Sequence, residues 1–410
     1  MRRIRDRVAG LDVHRDVVAA CTQIYEGGQV AVDKQRFATT RAGLAKLAEW
    51  LIEHRVRCVA MEATGVYWKP VYYALEGLFD ELWLCNAHHV KNVPERKTDM
   101  SDAEWLADVA AHGMVRPSFV PPPPIRQLRE LTRYRKTQVD ARAREIQRLE
   151  KVLQDAGIKL SSVASKVWTK SGRAMVEALF AREMDPVVLA ELAQSRMRSK
   201  MPGLTEALAG NFSLHHGAVA RRILDHIEFL DRSIAILTDQ ITERLGPFEP
   251  AVALRCTIPG VSRPTAEVII AETGGDMARF PTAQQLCAWA GVAPANHESA
   301  GKRRSGGTRP GGQWLRRALI ESARSAARTR DTYLAAQYRR IARRRGPNKA
   351  AVAVAHSILT AAGHVLSAGQ VYDDLGSDYL ERRHDSERRV TCLARQLEQA
   401  GYHVSLERAA

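Results

Sequence analysis

Apolar and polar positions along the first 115 residues follow the pattern of a mixed α/β domain. Three short apolar runs come first, and a turn at Glu26-Gly27-Gly28 separates the second from the third. They predict a three-stranded meander over Val8–Val13, Val17–Ile24 and Gln29–Phe37. The pattern then predicts a helix from a cap at Thr39 or Thr40 to Leu51, a strand over Arg57–Met61, a helix over Val66–Leu78 and a strand over Leu82–Cys85. With a further helix, this is the element order of a ribonuclease H-like fold; a flavodoxin-like sheet is the alternative, but it would need a helix between the first two strands.

A tetraproline at Pro121–Pro124 marks the first domain boundary, because proline neither continues a helix nor occupies an inner strand. A long basic helix follows, with apolar residues seven apart at Val139, Ile146, Leu153 and Leu160. Farther along, apolar residues recur in alternating steps of four and three at Ile223, Ile227, Leu230, Ile234, Leu237 and Ile241. This spacing predicts a coiled coil, within the chain or between protomers, and a plain antiparallel helical hairpin is the alternative.

The segment from Ala251 onward is built from helices and glycine-containing turns. Residues 256–273 read CTIPGVSRPTAEVIIAET, which predicts two helices around a Pro-Gly-Val turn. A helix-hairpin-helix of this kind holds a DNA phosphate on free backbone N–H groups, while a simple helical turn is the alternative. Helices are also predicted over Gln313–Arg330 and Ala350–Leu366. We therefore divide the chain into an α/β domain (1–118), a coiled-coil or helical domain (119–250), an all-α domain (251–372) and a charged tail (373–410).

Charge is concentrated in one part of the chain. The 410 residues carry a net charge of +15, and the window from Ser299 to Lys349 holds 15 Lys or Arg against two acids. A surplus this local favours nucleic acid as the partner over a merely solvated helix face. We expect no membrane span, because acids interrupt the N-terminal segment and no run of about 18 apolar residues occurs. The six cysteines show neither a CxxC pair nor zinc-ligand spacing, so we expect buried, reduced thiols in a cytosolic protein.

Four carboxylates are placed where they could form one metal site. Asp12 in GLDVHRD ends the first predicted strand, Glu62 in VAMEATGVYW ends the fourth, and Asp99 and Asp102 in KTDMSDAEW begin a helix. In a ribonuclease H-like sheet the first and fourth strands are neighbours, so two acids at the same end would repel unless a cation lay between them. Such oxygen ligands suit Mg²⁺ or Mn²⁺. Each acid alone also has a simpler interpretation, as a turn residue or as part of the Ser101–Glu104 capping box.

The loop from Asn296 to Gln313, NHESAGKRRSGGTRPGGQ, combines glycines, basic residues and hydroxyl groups between two apolar segments. Glycine gives the backbone freedom to approach phosphate closely, and the Lys and Arg residues could hold a strand. The composition of the loop predicts phosphate binding but does not decide whether one of the hydroxyls reacts.

Two sets of motifs, in order, resemble one family. GLDVHRD, MEATGVYW and KTDMSDAEWLADV are similar to the DEDD motifs of the RuvC-like domain of insertion-sequence transposases of the one-hundred-ten family. TIPGVSRPTAEVIIAE, RFPTAQQLCAWAGVAP, HESAGK, WLRRAL and RRGPNKAAVAVA resemble the C-terminal transposase domain of that family. The resemblance implies a recombinase that excises and inserts its own element, guided by a structured bridge RNA. It also implies a homo-oligomer, dimer or tetramer, in which domains of different subunits share a site, and a cytoplasmic, nucleoid-associated protein.

The resemblance also implies roles for individual residues. Asp12, Glu62, Asp99 and Asp102 correspond to the metal ligands, and Ser299 corresponds to a serine that attacks the DNA phosphate to give a covalent phosphoserine link. This chain has Ala300 after the serine where the family has glycine, and Pro310 where the family has lysine, so Ser305 is a second candidate. A serine hydroxyl needs a base or a metal to become reactive, and His297 is a candidate base.

The basic residues near the predicted serine would neutralise the strand that is cut. Residues expected to contact nucleic acid are Lys302, Arg303, Arg304, Arg309, Arg316, Arg317, Arg343, Arg344, Arg345 and Lys349. Trp289 and Trp314 flank the loop, where packing is favoured over stacking on a base. Two other functions remain open: a metal-dependent nuclease or junction resolvase that uses water as nucleophile, and a nucleic-acid-binding protein that never cuts.

Overall fold

The computed structural model describes residues 3–63, 65–86, 99–164, 168–294, 297–299, 302–304, 307–308, 311–379 and 386–406. The chain divides into two compact units, Met1–Pro121 and Pro122–Ala410. The boundary falls within the tetraproline. The further division of the second unit at residues 250 and 372 stays a prediction.

The first unit is built on a five-stranded sheet. Its strands are β1 (Arg7–Val13), β2 (Val17–Glu26), β3 (Gln29–Ala38), β4 (Cys58–Glu62) and β5 (Glu81–Cys85). The spatial order is β3-β2-β1-β4-β5, with antiparallel pairs among the first three strands and parallel pairs from β1 to β4 and from β4 to β5. Residues 14–16 join β1 to β2 directly, so the first two strands form a hairpin rather than a flavodoxin-like crossover. The predicted strands are confirmed, with bounds that differ by one or two residues.

Helices cover both faces of this sheet. They are α1 (Arg41–Glu53), α2 (Trp68–Leu75) and α3 (Asp99–Ala111). Thr40 caps α1 by accepting a hydrogen bond from the amide of Gly43, as predicted. The predicted helix over Val66–Leu78 is too long at both ends, since α2 covers Trp68–Leu75. The C-terminal end is set by Gly77, whose φ of 82° places it in the left-handed conformation that ends helices.

The second unit begins with two long helices that lie antiparallel. These are α4 (Pro123–Asp155) and α9 (Leu214–Arg244). Contacts join them in reverse order along the chain: an ion pair from Arg142 to Asp231, then histidine–carboxylate contacts from His226 to Glu145 at 3.6 Å and from His216 to Asp155 at 3.1 Å. Both helices begin with the residues that the sequence suggests, since proline occupies the first turn of α4 and Ser213 forms a capping box on α9.

The apolar stripe of α9 packs within the chain. Ile227, Leu230, Leu237 and Ile241 are buried, as the four-three spacing predicts. The seven-residue spacing predicted for α4 does not describe one buried face of that helix. Its first residue, Val139, is 39% exposed, and its last, Leu160, lies beyond the end of the helix. An antiparallel pair within one chain accounts for the stripe, and a coiled coil between protomers stays a prediction.

Shorter helices complete the second unit. They are α5 (Leu160–Val163), α6 (Lys170–Phe180), α7 (Pro186–Glu191), α8 (Met201–Leu208), α10 (Glu249–Cys256), α11 (Arg263–Thr273), α12 (Ala283–Trp289), α13 (Gln313–Ala326), α14 (Tyr333–Arg345), α15 (Pro347–Ala368) and α16 (Ser386–Gln399). Three 3₁₀ turns, Ser195–Lys200, Gly246–Phe248 and Met277–Arg279, and the strands β6 (His297–Ser299) and β7 (Lys302–Arg304) lie between them. Helices α10 and α11 flank the Pro-Gly-Val turn, which agrees with the predicted order of elements.

Helix α11 is fixed against α4 by buried ion pairs. Arg135 donates to Glu267 at 2.6 Å, and Arg133 donates through two nitrogens to Glu272 at 2.7 and 2.8 Å. Both glutamates are at most 2% exposed. Because each buried carboxylate has a guanidinium partner, loss of either partner alone would leave an uncompensated charge in the core.

Helix α15 is long and apolar enough to cross a membrane by length and composition, the one such helix in the part of the chain that the structure describes. Half of its most apolar window is buried, and Val354, Ile358 and Leu359 lie in the core of the second unit. Its apolar composition is that of a helix in the core of a globular unit.

Candidate functional site

Two of the predicted carboxylates lie side by side. The parallel register pairs Leu11 of β1 with Met61 of β4, so Asp12 and Glu62 follow at the same end of adjacent strands. Asp12 is 8% exposed and Glu62 is 9% exposed. They share the sheet face of Val8, Cys58 and Ala60, which packs against α3. The sequence predicted this juxtaposition, and the sheet order provides it.

Helix α3 runs antiparallel to β1, and this direction brings its first residues to the carboxylate end of the sheet. The amides of Ile4 and Arg5, before β1, donate to the carbonyl of Ala111 at the end of α3. Gly10, in β1, lies against Ala103 and Ala107, one turn from the start of the helix. Continued in the same direction, the helix start that carries the predicted ligands Asp99 and Asp102 lies toward Asp12.

Gly10 sets how closely α3 approaches the sheet. A Cβ at this position would collide with the carbonyl oxygen of Ala103 and lie 2.5 Å from the amide nitrogen of Ala107. Neither atom can move without moving the helix, because both belong to its backbone. Gly10 therefore permits the spacing between the strand of Asp12 and the helix of Asp102.

Gly10→Ala is expected to destabilise the first unit by about 1–3 kcal/mol, because an added methyl group forces backbone apart in a packed layer. The shift of α3 should also weaken Mn²⁺ binding, measured by calorimetry on the folded variant. Gly203→Ala on α8 is the matched control, since its Cβ would meet Val163 at an ordinary 3.7 Å. Equal unfolding free energies and equal Mn²⁺ affinities for wild type and Gly10→Ala would contradict this role.

His14 is a neighbour of the site that sequence reasoning missed. Its Nε2 lies 3.0 Å from Oδ2 of Asp12, and its side chain is 45% exposed. The motif GLDVHRD contains this histidine, but its separation of two residues from Asp12 just past the end of a strand does not reveal the contact. His14 therefore helps to orient the Asp12 carboxylate.

Cys85 lies next to Glu62 in the sheet register, and it is fully buried. Burial, with a smaller contribution from Glu62, raises the pKa of its thiol to about 12. The acidic side chains at this edge, Asp12 and Glu62, offer carboxylate oxygens, which are the donors that hard divalent ions prefer. Cys21 and Cys58 are likewise buried, and burial raises the pKa of each to about 12.

The oxygen donors fit a hard divalent ion, although the described side chains do not by themselves complete its coordination. Asp12 and Glu62 are adjacent, while the side chain of Asp102 is exposed and that of Asp99 lies outside the described residues. Among the side chains that the structure describes, no three of His, Cys, Asp or Glu converge closely enough to hold an ion. Two adjacent buried carboxylates remain the strongest indication of a cation here.

Ser299 lies in a short hairpin of the second unit. Strands β6 and β7 pair antiparallel, with His297 opposite Arg304, Glu298 opposite Arg303 and Ser299 opposite Lys302. The sequence analysis treated this stretch as an irregular loop, so it did not predict the two strands. Ser305 and Arg309 lie outside the described residues.

The base of this hairpin is closed by backbone contacts. Pro294 and Thr308 form an isolated antiparallel bridge. Below it, a Cβ at Gly311 would lie 2.5 Å from Ala290 and Gly291, so the chain entering the hairpin and the chain leaving it touch. Ala290 and Val292 are buried, which anchors the hairpin on the core of the second unit.

The other predicted nucleic-acid residues lie on two helices. Arg316 and Arg317 follow Trp314 in the first turns of α13, but Arg317 donates to Asp140 at 3.0 Å. Asp140 also pairs with Lys136 at 3.1 Å, so Arg317 is part of an ion-pair network with α4. The contact of Arg317 with nucleic acid stays a prediction. Arg343–Arg345 form the last turn of α14, and Lys349 is exposed near the start of α15.

The two tryptophans pack, as expected. Trp289 lies 5.2 Å from the ring of Phe280, between centroids, and keeps 37% of its surface exposed. Trp314 is half-buried and lines a cavity together with residues of α4 and α11.

Two models of transposase families match this chain. The family model for the DEDD transposase domain of IS110 matches residues 9–158, and the model described as transposase IS116/IS110/IS902 family matches residues 253–339. Together the two matches cover more than half of the chain.

Relatives in three bacteria are similar over much of their length. The transposase for insertion sequence element IS1111A of Coxiella burnetii is 27% identical over 363 residues, which are 85% of this chain and 86% of the relative. A putative transposase, y4pF/y4sB, of Sinorhizobium fredii is 28% identical over 68% of this chain and 65% of the relative. A probable family 20 transposase of Pseudomonas aeruginosa is 27% identical over 66% of this chain and 71% of the relative.

Among solved structures, Thermus thermophilus RuvC aligns with 27% of this chain and 99% of its own, at 16% identity and a TM-score of 0.22. RuvC of the same organism in complex with a Holliday junction substrate aligns with 28% of this chain, at 14% identity and a TM-score of 0.22.

Proposed function

This chain belongs to the IS110 family of transposases, and from that premise we propose that it cuts and rejoins the DNA of a mobile insertion sequence through a covalent phosphoserine link. The observation that carries the proposal is the pair Asp12 and Glu62, two buried carboxylates at the same end of adjacent parallel strands. A protein that only binds DNA has no need of this repulsive pair. A site for a divalent ion explains it.

Asp12, Glu62, Asp99 and Asp102 would hold Mg²⁺ or Mn²⁺, with His14 orienting the carboxylate of Asp12. A divalent ion supplies stabilisation of the charge that develops on the phosphate oxygens during the displacement. Gly10 lets α3 lie close enough to β1 for its first turn to contribute ligands.

Ser299 supplies the nucleophile in this proposal. Its hydroxyl oxygen forms a bond to phosphorus as the phosphodiester bond to one deoxyribose oxygen breaks. The hydroxyl loses its proton, and the departing deoxyribose oxygen gains one. Because one phosphodiester is exchanged for another, attack of a second DNA end on the link can rejoin strands without an external energy source. His297, two residues before Ser299 in β6, is the proposed base.

Three further parts of the proposal follow from family membership. A structured bridge RNA would select the DNA by base pairing, while the protein contacts backbone and shape. The domains would act within a homo-oligomer, dimer or tetramer, that joins through the long helices. The protein would work in the cytoplasm on nucleoid DNA.

Metal dependence separates the proposed reaction from binding alone. Incubated with labelled element-end DNA, the bridge RNA and Mg²⁺, the protein should cleave DNA, EDTA should abolish cleavage, and added Mn²⁺ should restore it. Binding measured by gel shift should survive EDTA, since the basic residues do not need the ion. A protein that binds the DNA but never cuts it under any of these conditions would be a binding protein instead.

A further inference from the structure

A pocket of about 500 Å³ lies beside helix α14, far along the chain from the candidate serine. One wall is formed by four arginines on two successive turns: Arg339, Arg340, Arg343 and Arg344. The opposite wall is formed by Ser377 and Asp378, in a segment after α15 that we call the strap (residues 370–379). Four guanidinium groups at this spacing repel one another, which favours an anion between them.

Among the described residues these arginines form no ion pair, whereas several other arginines of the second unit do. Arg133 and Arg135 of α4 are paired with buried glutamates, and Arg263 of α11 is paired with Glu249. In the part of the chain that the structure describes, Arg339, Arg340, Arg343 and Arg344 have no ion-pair or hydrogen-bond partner, and all four are exposed. The C-terminal dipole of α14 favours cations in its last turn, where Arg343 and Arg344 lie, but Arg339 and Arg340 lie a turn earlier.

The strap is held in place by contacts outside the pocket. Asp374 accepts hydrogen bonds from the amide of Tyr333, at the start of α14, and from the amide of Gly376, at 2.9 and 2.8 Å. The amide of Tyr372 donates to the hydroxyl of Thr257 at 2.9 Å, and the ring of Tyr379 lies edge-on to Tyr333. The second wall of the pocket is therefore built on α14 itself.

We propose that this pocket binds the phosphates of one nucleic-acid strand, between the arginines of α14 and the strap. Guanidinium groups bind phosphate oxygens in a bidentate manner, and the Ser377 hydroxyl adds a donor from the other side. Asp378 is the one carboxylate that lines the described pocket, and the four arginines outnumber it. The inference rests on the proposed function, because it assigns this strand to the DNA or RNA on which the protein acts.

Fluorescence anisotropy with the full-length protein tests this site. The probes are a labelled single-stranded DNA and an RNA of the same sequence, titrated in EDTA over a range of salt concentrations. The double variant Arg339→Gln/Arg340→Gln should raise the Kd at least 10-fold at low salt. A plot of the logarithm of the binding constant against the logarithm of the salt concentration should also become less steep. Its slope should fall in magnitude by about 1.4, the value for two lost phosphate contacts to a single strand. An effect on only one probe identifies which strand occupies the pocket.

Arg328→Gln/Arg330→Gln is the matched control, since both arginines are exposed in the same unit, do not line the pocket and remove the same charge. It should raise the Kd less than 3-fold. Equal losses in the two arginine doubles would overturn the proposal.

The proposed function fails separately from this inference. If the proteins show the predicted binding pattern but the wild type never cleaves DNA with Mg²⁺ and bridge RNA, phosphate binding in the pocket is supported and the proposed cleavage reaction is contradicted. If cleavage occurs and the two arginine doubles behave alike, the cleavage reaction is supported and phosphate binding in the pocket is contradicted.

Discussion

Asp12→Asn and Glu62→Gln are each expected to reduce DNA cleavage by about 1,000-fold or more, because either change removes a charged ligand from the ion that stabilises the displacement. Both substitutions keep the shape of the side chain, so the packing of β1 and β4 against α3 should persist. Cleavage is measured on labelled element-end DNA with Mg²⁺ and bridge RNA, under single-turnover conditions.

Loss of a ligand should also change the response of stability to the metal. Mn²⁺ that binds the folded wild type should raise its thermal midpoint, and neutralising Asp12 or Glu62 should abolish that rise. Glu49→Gln, at an exposed position of α1, is the control and should keep the full rise. Full cleavage activity in both site variants would exclude these carboxylates from the reaction.

Ser299→Ala is expected to lower strand cleavage by a comparable factor of about 1,000 or more, since removal of the nucleophile of a covalent pathway leaves no alternative attacking group in place. It should also remove the protein-linked DNA strand that denaturing gels detect for the wild type. DNA binding should persist, because the surrounding basic residues are unchanged. Ser305→Ala is the matched control, and it should retain both cleavage and the linked strand.

The Ser299 variants also separate the remaining alternatives. A nuclease or junction resolvase would activate water, so free nicked DNA would still form in Ser299→Ala and no linked strand would form in the wild type. If Ser305→Ala lost the linked strand and Ser299→Ala kept it, the nucleophile would be Ser305.

The sheet and half of the candidate metal site were predictable from the sequence. Strands with period-two or continuous apolar runs, such as Val8–Val13, are bounded by clear turn residues, and the order of elements then made β1 and β4 neighbours. Asp12 and Glu62 could be placed together because each ends a central strand. The approach of α3 could not be predicted, since it depends on a missing Cβ at Gly10 rather than on a periodic pattern.

The partners of long helices and of charged residues were less predictable. The four-three spacing of α9 shows that one face is buried, but not that α4 of the same chain buries it. Arg317 was predicted to contact nucleic acid, and the sequence did not indicate that it pairs with Asp140, 177 residues away in the chain. The unpaired arginines of α14 belong to the same local excess of basic residues as Arg317. Only the packing of the folded chain shows which of these arginines has an acidic partner.

Mass spectrometry of the covalent link tests the central claim most directly. The linked species is trapped by denaturing the reaction of wild type with bridge RNA, Mg²⁺ and element-end DNA, and is then digested with nuclease and trypsin. Trypsin cleaves after Arg279 and after Lys302, which gives a peptide of residues 280–302 in which Ser299 is the only serine, while Ser305 falls in a different peptide. We predict a nucleotide phosphate on Ser299 in the 280–302 peptide, absent from Asp12→Asn. DNA cleavage by the wild type with that peptide unmodified would contradict the serine mechanism.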